Sequence, residues 1–275
     1  MRRLIRANLR RWWHSTLYWF FVALTAVFCI AVCVNQYRYM IKYDSVFILD
    51  NFLFGSFMLI GIGLSVVISV YVGTEYSDGT IRNKLIVGRK RSAIYLANMA
   101  VCALGAMVAA LFATVLTAAV GYPLFGGIRT GLVNVLLNLL IYEMAVAAYA
   151  SIFNMVAMLI PNKAHTSIVN ILLAFVLIFA AIYLYAKLSA PPEIPGYMLN
   201  VAGELQFTSE PNPAYLEGME REVYQFLMDF LPSGQAMEVA NFEVLHPVRM
   251  LLSSLGILVG SNALGTAVFC RMDIR

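Results

Sequence analysis

Apolar and polar positions in this chain do not alternate; they segregate into long blocks. Six apolar stretches stand out, at 16–36, 52–72, 93–121, 132–160, 165–187 and 248–270. A helix rises 1.5 Å per residue and the hydrocarbon core of a bilayer is about 30 Å thick, so about 20 apolar residues cross it. Each stretch is long enough. Backbone amides in lipid must be satisfied within the segment, and no period-2 pattern of barrel strands is present, so the spans are predicted to be helices. The expectation is an all-α polytopic membrane protein with six transmembrane helices, residues 1–275 forming a single transmembrane domain.

Three polar pieces punctuate the spans. Residues 1–14 set Arg2, Arg3, Arg6, Arg10 and Arg11 beside Leu4, Ile5, Leu9, Trp12 and Trp13. That suits an interfacial helix, with Arg6 and Arg10 toward lipid headgroups and the indoles of Trp12 and Trp13 at the boundary. A basic start also resembles a signal peptide. The apolar run that follows is too long, however, and ends "VCVNQYRYM" without a small-x-small cleavage pattern, so a retained first helix is expected.

The second piece is "GTEYSDGTIRNKLIVGRKRSAIYLANM", residues 73–99. Asp78 and Gly79 make a turn, and Asp78 is expected to cap a short helix from Thr80 to Val87. Ile81 and Leu85 lie four apart with Ile86 beside them, giving an apolar face opposite Arg82, Asn83 and Lys84. Gly88 suits a left-handed stop, and Ser92 a cap for the third span. The third piece, 188–247, is acidic: Glu193, Glu204, Glu210, Glu217, Glu220, Glu222, Asp229, Glu238 and Glu243 against Arg221. Within it Leu216, Met219, Val223, Phe226, Leu227 and Phe230 form one stripe. Pro213 precedes the stripe, and Pro232 with Gly234 is expected to end it, which predicts an external amphipathic helix on the membrane side.

Composition agrees. The chain is 61% hydrophobic and 12% charged, with a mean hydropathy of +0.78, far from the roughly 45–50% apolar and 25% charged usual for soluble proteins. Thirteen of the nineteen Lys and Arg residues fall on the side of the N-terminus, the 74–91 block, Lys163 and the tail (Arg271, Arg275). Cations mark the cytoplasmic side, so both termini are expected there. Cys29, Cys33, Cys102 and Cys270 lie in apolar runs and read as small core residues. Cys29 and Cys33 share a helix face without His or carboxylate neighbours, so no metal site is expected.

No G-x-x-x-x-G-K-[ST] motif occurs, nor H-E-x-x-H or G-x-S-x-G, and His14, His165 and His246 sit near span ends on different sides. The chain is therefore not expected to be an enzyme, and nothing suggests a nucleic-acid partner. Glu143 lies deep in the fourth span, with Asn134, Asn138, Tyr142 and Tyr149 at helical spacing. Ionisable groups at that depth usually face the bundle interior or a water-filled path. The residues leave two readings open: a polar lining of a translocation route, or a protonated carboxyl bonded between helices. Gly105, Ala109 and Ala113, four apart, predict close helix approach, within the chain or at a dimer seam.

"EYSDGTIRNKLIVGRKRSAIYLAN" resembles the segment after the second transmembrane helix of bacterial ABC-2 type transporter permeases. The family pattern, acidic-x-x-x-Gly-Thr-x-Arg, then Leu, a Gly or Pro and a basic cluster, falls on Glu75, Gly79, Thr80, Arg82, Leu85, Gly88 and Arg91. "FLPSGQAM" (230–237) is similar to external segments of these permeases. The resemblance implies the type V exporter (ABC-2) fold, with an N-terminal elbow helix, six spans and external helices between the fifth and sixth. It also implies a cytoplasmic coupling helix over 75–91, with Glu75, Asp78, Gly79, Thr80, Ile81, Arg82, Leu85 and Gly88 engaging a separate ABC ATPase. Two ATPase subunits carrying ATP and Mg²⁺, and a second permease copy forming a homodimer, would complete it in the bacterial cell membrane. The implied task is export of, or immunity to, an antimicrobial peptide, drug or lipid. The residues alone leave a bland alternative. Arg89, Lys90 and Arg91 could simply bind anionic lipid, at about 1 kcal/mol per cation; separately, the same block could bind a cytoplasmic partner in a non-transport membrane scaffold or sensor subunit.

Overall fold

The computed structural model describes residues 1–199 and 205–273; Glu204 and Arg275 lie outside the described residues. A short amphipathic helix, α1 (Arg2–Trp13), leads into α2 (Thr16–Tyr43), and a 3-10 turn (Leu49–Phe52) precedes α3 (Phe57–Ser77). The seven-residue α4 (Thr80–Ile86) then joins α3 to α5 (Arg91–Phe125), followed by α6 (Leu132–Leu159) and α7 (Lys163–Leu188). Beyond them come the hairpin β1 (Glu193–Leu199) and β2 (Leu205–Pro211), then α8 (Gly218–Phe230), α9 (Pro232–Asn241) and α10 (Pro247–Arg271). Among the described residues six helical segments are long and apolar enough to cross a membrane: α2, the 3-10 turn with α3, α5, α6, α7 and α10.

The axis of the bundle is α6. Its small run Ala145, Ala147, Ala148 and Ala150 is buried and lets α3, α5 and α10 close on it from several sides, as small residues do between helices in lipid. Polar side chains fasten the contacts. Asn170 donates to the Phe153 carbonyl (3.1 Å) and to Ser69 (2.7 Å), Tyr76 to the Met158 carbonyl (2.5 Å), and Asn262 to Ser151 (2.9 Å). By contrast α2, α7 and α10 turn Phe20, Val27, Phe179, Leu252 and Val259 outward, the pattern of helices that face lipid. Cys29, Cys33 and Cys102 are buried as expected of small core residues, whereas Cys270 is exposed near the end of α10.

The two ends of the bundle differ in charge. One gathers α1, α4, the turn before α7 and the end of α10, where Arg91 donates to the Phe269 and Met272 carbonyls; this is the basic end. The opposite, acidic end carries residues 188–199 and 205–247. There Asp50, buried in the 3-10 turn, accepts from the Thr130 amide (2.7 Å) and hydroxyl (2.6 Å), tying two connecting loops together.

The acidic end holds more than the expected amphipathic helix. The acidic segment contains an antiparallel hairpin, with Glu193 opposite Pro211 and Ile194 opposite Glu210, which no alternating pattern in the sequence announced. As expected, α8 ends just before Pro232, at Phe230; Pro232 also opens α9, at a position where its missing N–H is no loss. Gly234 permits the α8–α9 corner because a Cβ there would lie 2.2 Å from the Met228 carbonyl oxygen. Thus α9 folds back against α6, α7 and α3 with Ser233, Gln235, Ala236 and Val239 buried. The stripe on α8 faces outward: Met219, Val223, Phe226, Leu227 and Phe230 are exposed, while Met228 and Asp229 turn inward.

Candidate functional site

At the basic end, one buried carboxylate joins four helices. Glu75, in the last turn of α3, is 1% exposed. Its Oε1 receives Arg11 Nη1 of α1 at 2.7 Å and Lys84 Nζ of α4, and its Oε2 receives Asn98 Nδ2 of α5 at 2.6 Å. The cluster closes on itself. Asn8 donates to Asn98 Oδ1 and accepts from Lys84 Nζ (3.1 Å), and its carbonyl accepts from the Tyr71 hydroxyl (2.9 Å). The Arg11 guanidinium also lies 3.9 Å over the Tyr71 ring. Burial pushes the Lys84 ammonium below its ordinary range, and the Glu75 carboxylate opposes that shift. Two cations on one desolvated carboxylate, Lys84 also bonded to Asn8 and Arg11 also lying over Tyr71, form the kind of buried pair that is costly to break on one side only.

The site assembles because each helix has a polar position on its inner face. On α1 the spacing Leu4, Asn8, Trp12 is i, i+4, i+8, and all three are buried. On α4, Lys84 follows the buried Ile81 by one turn. Trp12 is fully enclosed, its ring tilted against Tyr18 and edge-on to Tyr71, and a Cβ on Gly105 would lie 2.2 Å from its indole. The small stripe Gly105, Ala109 and Ala113 is therefore buried packing within this chain, and Trp12 is a core residue rather than a boundary anchor. Trp13 is half-buried, while Arg6 and Arg10 are exposed.

The connection from α3 to α5 presents a different surface outward. Gly79 (φ +65°) starts α4 and Gly88 (φ +78°) follows it; open space surrounds both, so backbone conformation is what these positions require. Asp78 does not cap α4. It ends α3, its amide bonding back to the Thr74 carbonyl at 2.9 Å. Nor does Ser92 cap α5, whose cap is Lys90. Of the eight residues singled out on this segment, Glu75 and Ile81 point inward, Gly79, Thr80 and Leu85 are half-buried, and Asp78, Arg82 and Gly88 are exposed. Ile86, which the sequence groups with Ile81 and Leu85 on one apolar face, is instead 72% exposed and with Val87 (76%) forms the outermost pair; Arg11, Asn8, Lys84 and Asn98 were not legible as partners of Glu75. Beside α4 a cleft of about 640 Å³ opens between Tyr76, Ser77 and the 161–164 turn, including Lys163.

The residues expected along a translocation route do not share one surface. Asn134 and Asn138 line a cleft of about 250 Å³ at the acidic end with Thr130, Phe242 and Val244. Tyr142 is buried, its hydroxyl 3.4 Å from Ser56 and its ring tilted against Phe54. Glu143 is 9% exposed, and neither carboxyl oxygen has a hydrogen-bond partner among the described residues; the bond between helices that one reading required is not formed.

The family model described as ABC-2 family transporter protein matches residues 4–181, from α1 into α7. No curated protein matches the chain.

Proposed function

Because this chain belongs to the ABC-2 family of transporter proteins, we propose that it is the permease subunit of an ATP-driven exporter and that α4 is its coupling helix. The supporting observation is the division of α4 into two faces. Outward it offers Arg82, Asn83, Ile86 and Val87, an apolar tip flanked by Arg89 and Lys90. Inward it is fixed through Lys84 to Glu75 and hence to α1, α3 and α5. A partner that moves α4 moves the ends of two membrane-spanning helices and the helix before a third. An apolar tip ringed by cations suits an acid-rimmed apolar cleft on an ABC ATPase, where exposed charges steer encounter and a desolvated apolar contact sets the release rate.

In this reading the basic end is cytoplasmic, following the excess of Lys and Arg there, and the acidic end faces out of a bacterial cell. ATP and Mg²⁺ are held by two ATPase subunits, and a second copy of this chain completes the permease as a homodimer. The chain supplies no covalent chemistry. Its task is mechanical, and its cargo is an antimicrobial peptide, drug or lipid. The test is reconstitution with an ABC ATPase encoded beside it. Arg82→Glu and Ile86→Asp, both on the exposed face, should leave the permease folded and lower ATPase co-purification and ATP turnover at least tenfold; Gly79→Pro, which removes the required left-handed start, should do the same. Unchanged assembly and turnover in all three would remove the coupling assignment.

A further inference from the structure

At the opposite end of the bundle lies a cavity of about 470 Å³ lined by Tyr185, Arg221, Gln225, Glu238, Glu243 and Leu245. Three ionisable side chains of opposite sign line it, Glu238 and Glu243 with Arg221. The nearby cation of α10, Arg249, is committed to Asp229, which it reaches through Nε (2.5 Å) and Nη2, with His246 Nδ1 at 3.4 Å on the same oxygen. Arg221 also lines the cavity: its Nη2 donates to the Leu188 carbonyl (3.2 Å) and its guanidinium lies 5.5 Å from the Tyr215 ring centroid, while its Nη1 is buried with no partner among the described residues. Glu238 and Glu243 are left without an ion pair among the described residues. Glu238 is 4% exposed; its Oε1 accepts from Gln225 Nε2 (2.6 Å), and its Oε2 is buried with no partner among the described residues. Glu243 stands at the rim, accepting from the Tyr185 hydroxyl at 3.1 Å.

We propose that this cavity is a binding site for a protonated primary amine, whose ammonium sits between Glu238 and Glu243. Three features select that class. A buried acceptor without a partner carries a desolvation penalty that a charged donor relieves. The volume falls within the range of small-molecule sites, about 300–1,000 Å³, and exceeds what a bare metal ion needs. Three N–H donors match the free acceptors, while a quaternary ammonium would supply none. The site is independent of α4 and of any ATPase.

Binding at this cavity is linked to protons. Burial, then the neighbouring Asp229 carboxylate, push the Glu238 carboxyl up to about 8, against the smaller opposing effects of the Gln225 amide and Arg249. The other groups around it are His246 of α10, Tyr185 of α7, Arg221 of α8 and Glu243. Below pH 8, therefore, an arriving ammonium displaces the Glu238 proton to solvent: one cation binds and one proton leaves. Apparent affinity then falls about tenfold for each pH unit below 8.

Ethanolamine is the probe, titrated calorimetrically into the full-length protein in phosphatidylcholine nanodiscs, with choline as the comparison. Ethanolamine should bind at pH 8, bind about tenfold more weakly at pH 7 with release of one proton, and choline should not bind. Glu238→Gln should weaken binding at least tenfold and abolish the pH dependence; should that variant not fold, Glu243→Gln at the exposed rim should still weaken binding severalfold. Nanodiscs containing phosphatidylethanolamine separate two sources of the same chemistry. Loss of ethanolamine binding there assigns the ammonium to a lipid headgroup, and undiminished binding assigns it to a soluble amine. Absence of binding at pH 8 in phosphatidylcholine, equal binding of choline, or binding unaltered by both substitutions would overturn the proposal.

Discussion

Replacing Glu75 by Gln preserves shape and deletes charge at the junction of α1, α3, α4 and α5. Three bonds converge on that carboxylate, from Arg11 (2.7 Å), Lys84 and Asn98 (2.6 Å). A hydrogen bond to a charged group contributes about 1.5–3 kcal/mol net, and removing one member of a buried ion pair costs about 3–5 kcal/mol because the other charge is stranded. Relief is available here. The Arg11 side chain is 33% exposed and can turn to solvent, and the Lys84 ammonium, already disfavoured by burial, can release its proton. The expected loss therefore sits at the low end, about 3 kcal/mol, or roughly 100-fold in the folding equilibrium. Unfolding of the purified chain in mixed micelles of rising SDS content, followed by helical circular dichroism, measures it. A double-mutant cycle with Arg11→Gln should show non-additivity of about 1–2 kcal/mol, since each substitution removes the same contact. A loss under about 0.5 kcal/mol with additive effects would show that the cluster does not fasten the four helices.

Other consequences concern single positions. Because the Glu238 carboxyl titrates near 8 when folded rather than near 4.5, the folded protein holds a proton that the unfolded chain releases. In the absence of an amine, stability is full below pH 4.5 and declines as pH rises through 8, by up to about 1.4 kcal/mol per unit; chemical unfolding at pH 5 and 8 should show the decline, and Glu238→Gln should flatten it. Gly234→Ala places a Cβ against backbone that cannot turn aside, so it should destabilise by about 1–3 kcal/mol, with thermal unfolding as the readout. Gly105→Ala drives a methyl into the Trp12 indole and should red-shift tryptophan emission as α1 lifts from α5, whereas Ala109→Gly should leave the emission unchanged. Asp50→Ala strands the Thr130 amide and should cost about 1–3 kcal/mol, measurable as a lower unfolding midpoint.

The long elements were legible because membrane-length apolar runs need no partner to declare themselves. The turn glycines Gly79 and Gly88 were legible too, and both adopt positive φ. What a local pattern could not reveal was which polar residues turn inward. Asn8 and Asn98 meet across ninety positions and Lys84 meets Asn8 across seventy-six, so Arg11 and Lys84 looked like any other surface cations. The clue was on α1, where Asn8 falls between Leu4 and Trp12 on one helical face. On α4 the apolar positions split: Ile81 anchors and Ile86 protrudes, a distinction set by how α4 lies on α3 rather than by spacing. Pro232 ends α8 as its position announced, but that it also opens α9 was not legible, because that corner rests on Gly234 fitting beneath Met228.

Whether α4 is the point at which an ATPase drives this bundle is tested most directly by site-specific photo-crosslinking in the reconstituted complex. A photoreactive residue at Ile86 should capture the ATPase subunit, one at the buried Ile81 should not, and the Ile86 cross-link should diminish with Arg82→Glu. An ATP-hydrolysing complex in which Ile86 captures no ATPase would contradict the assignment.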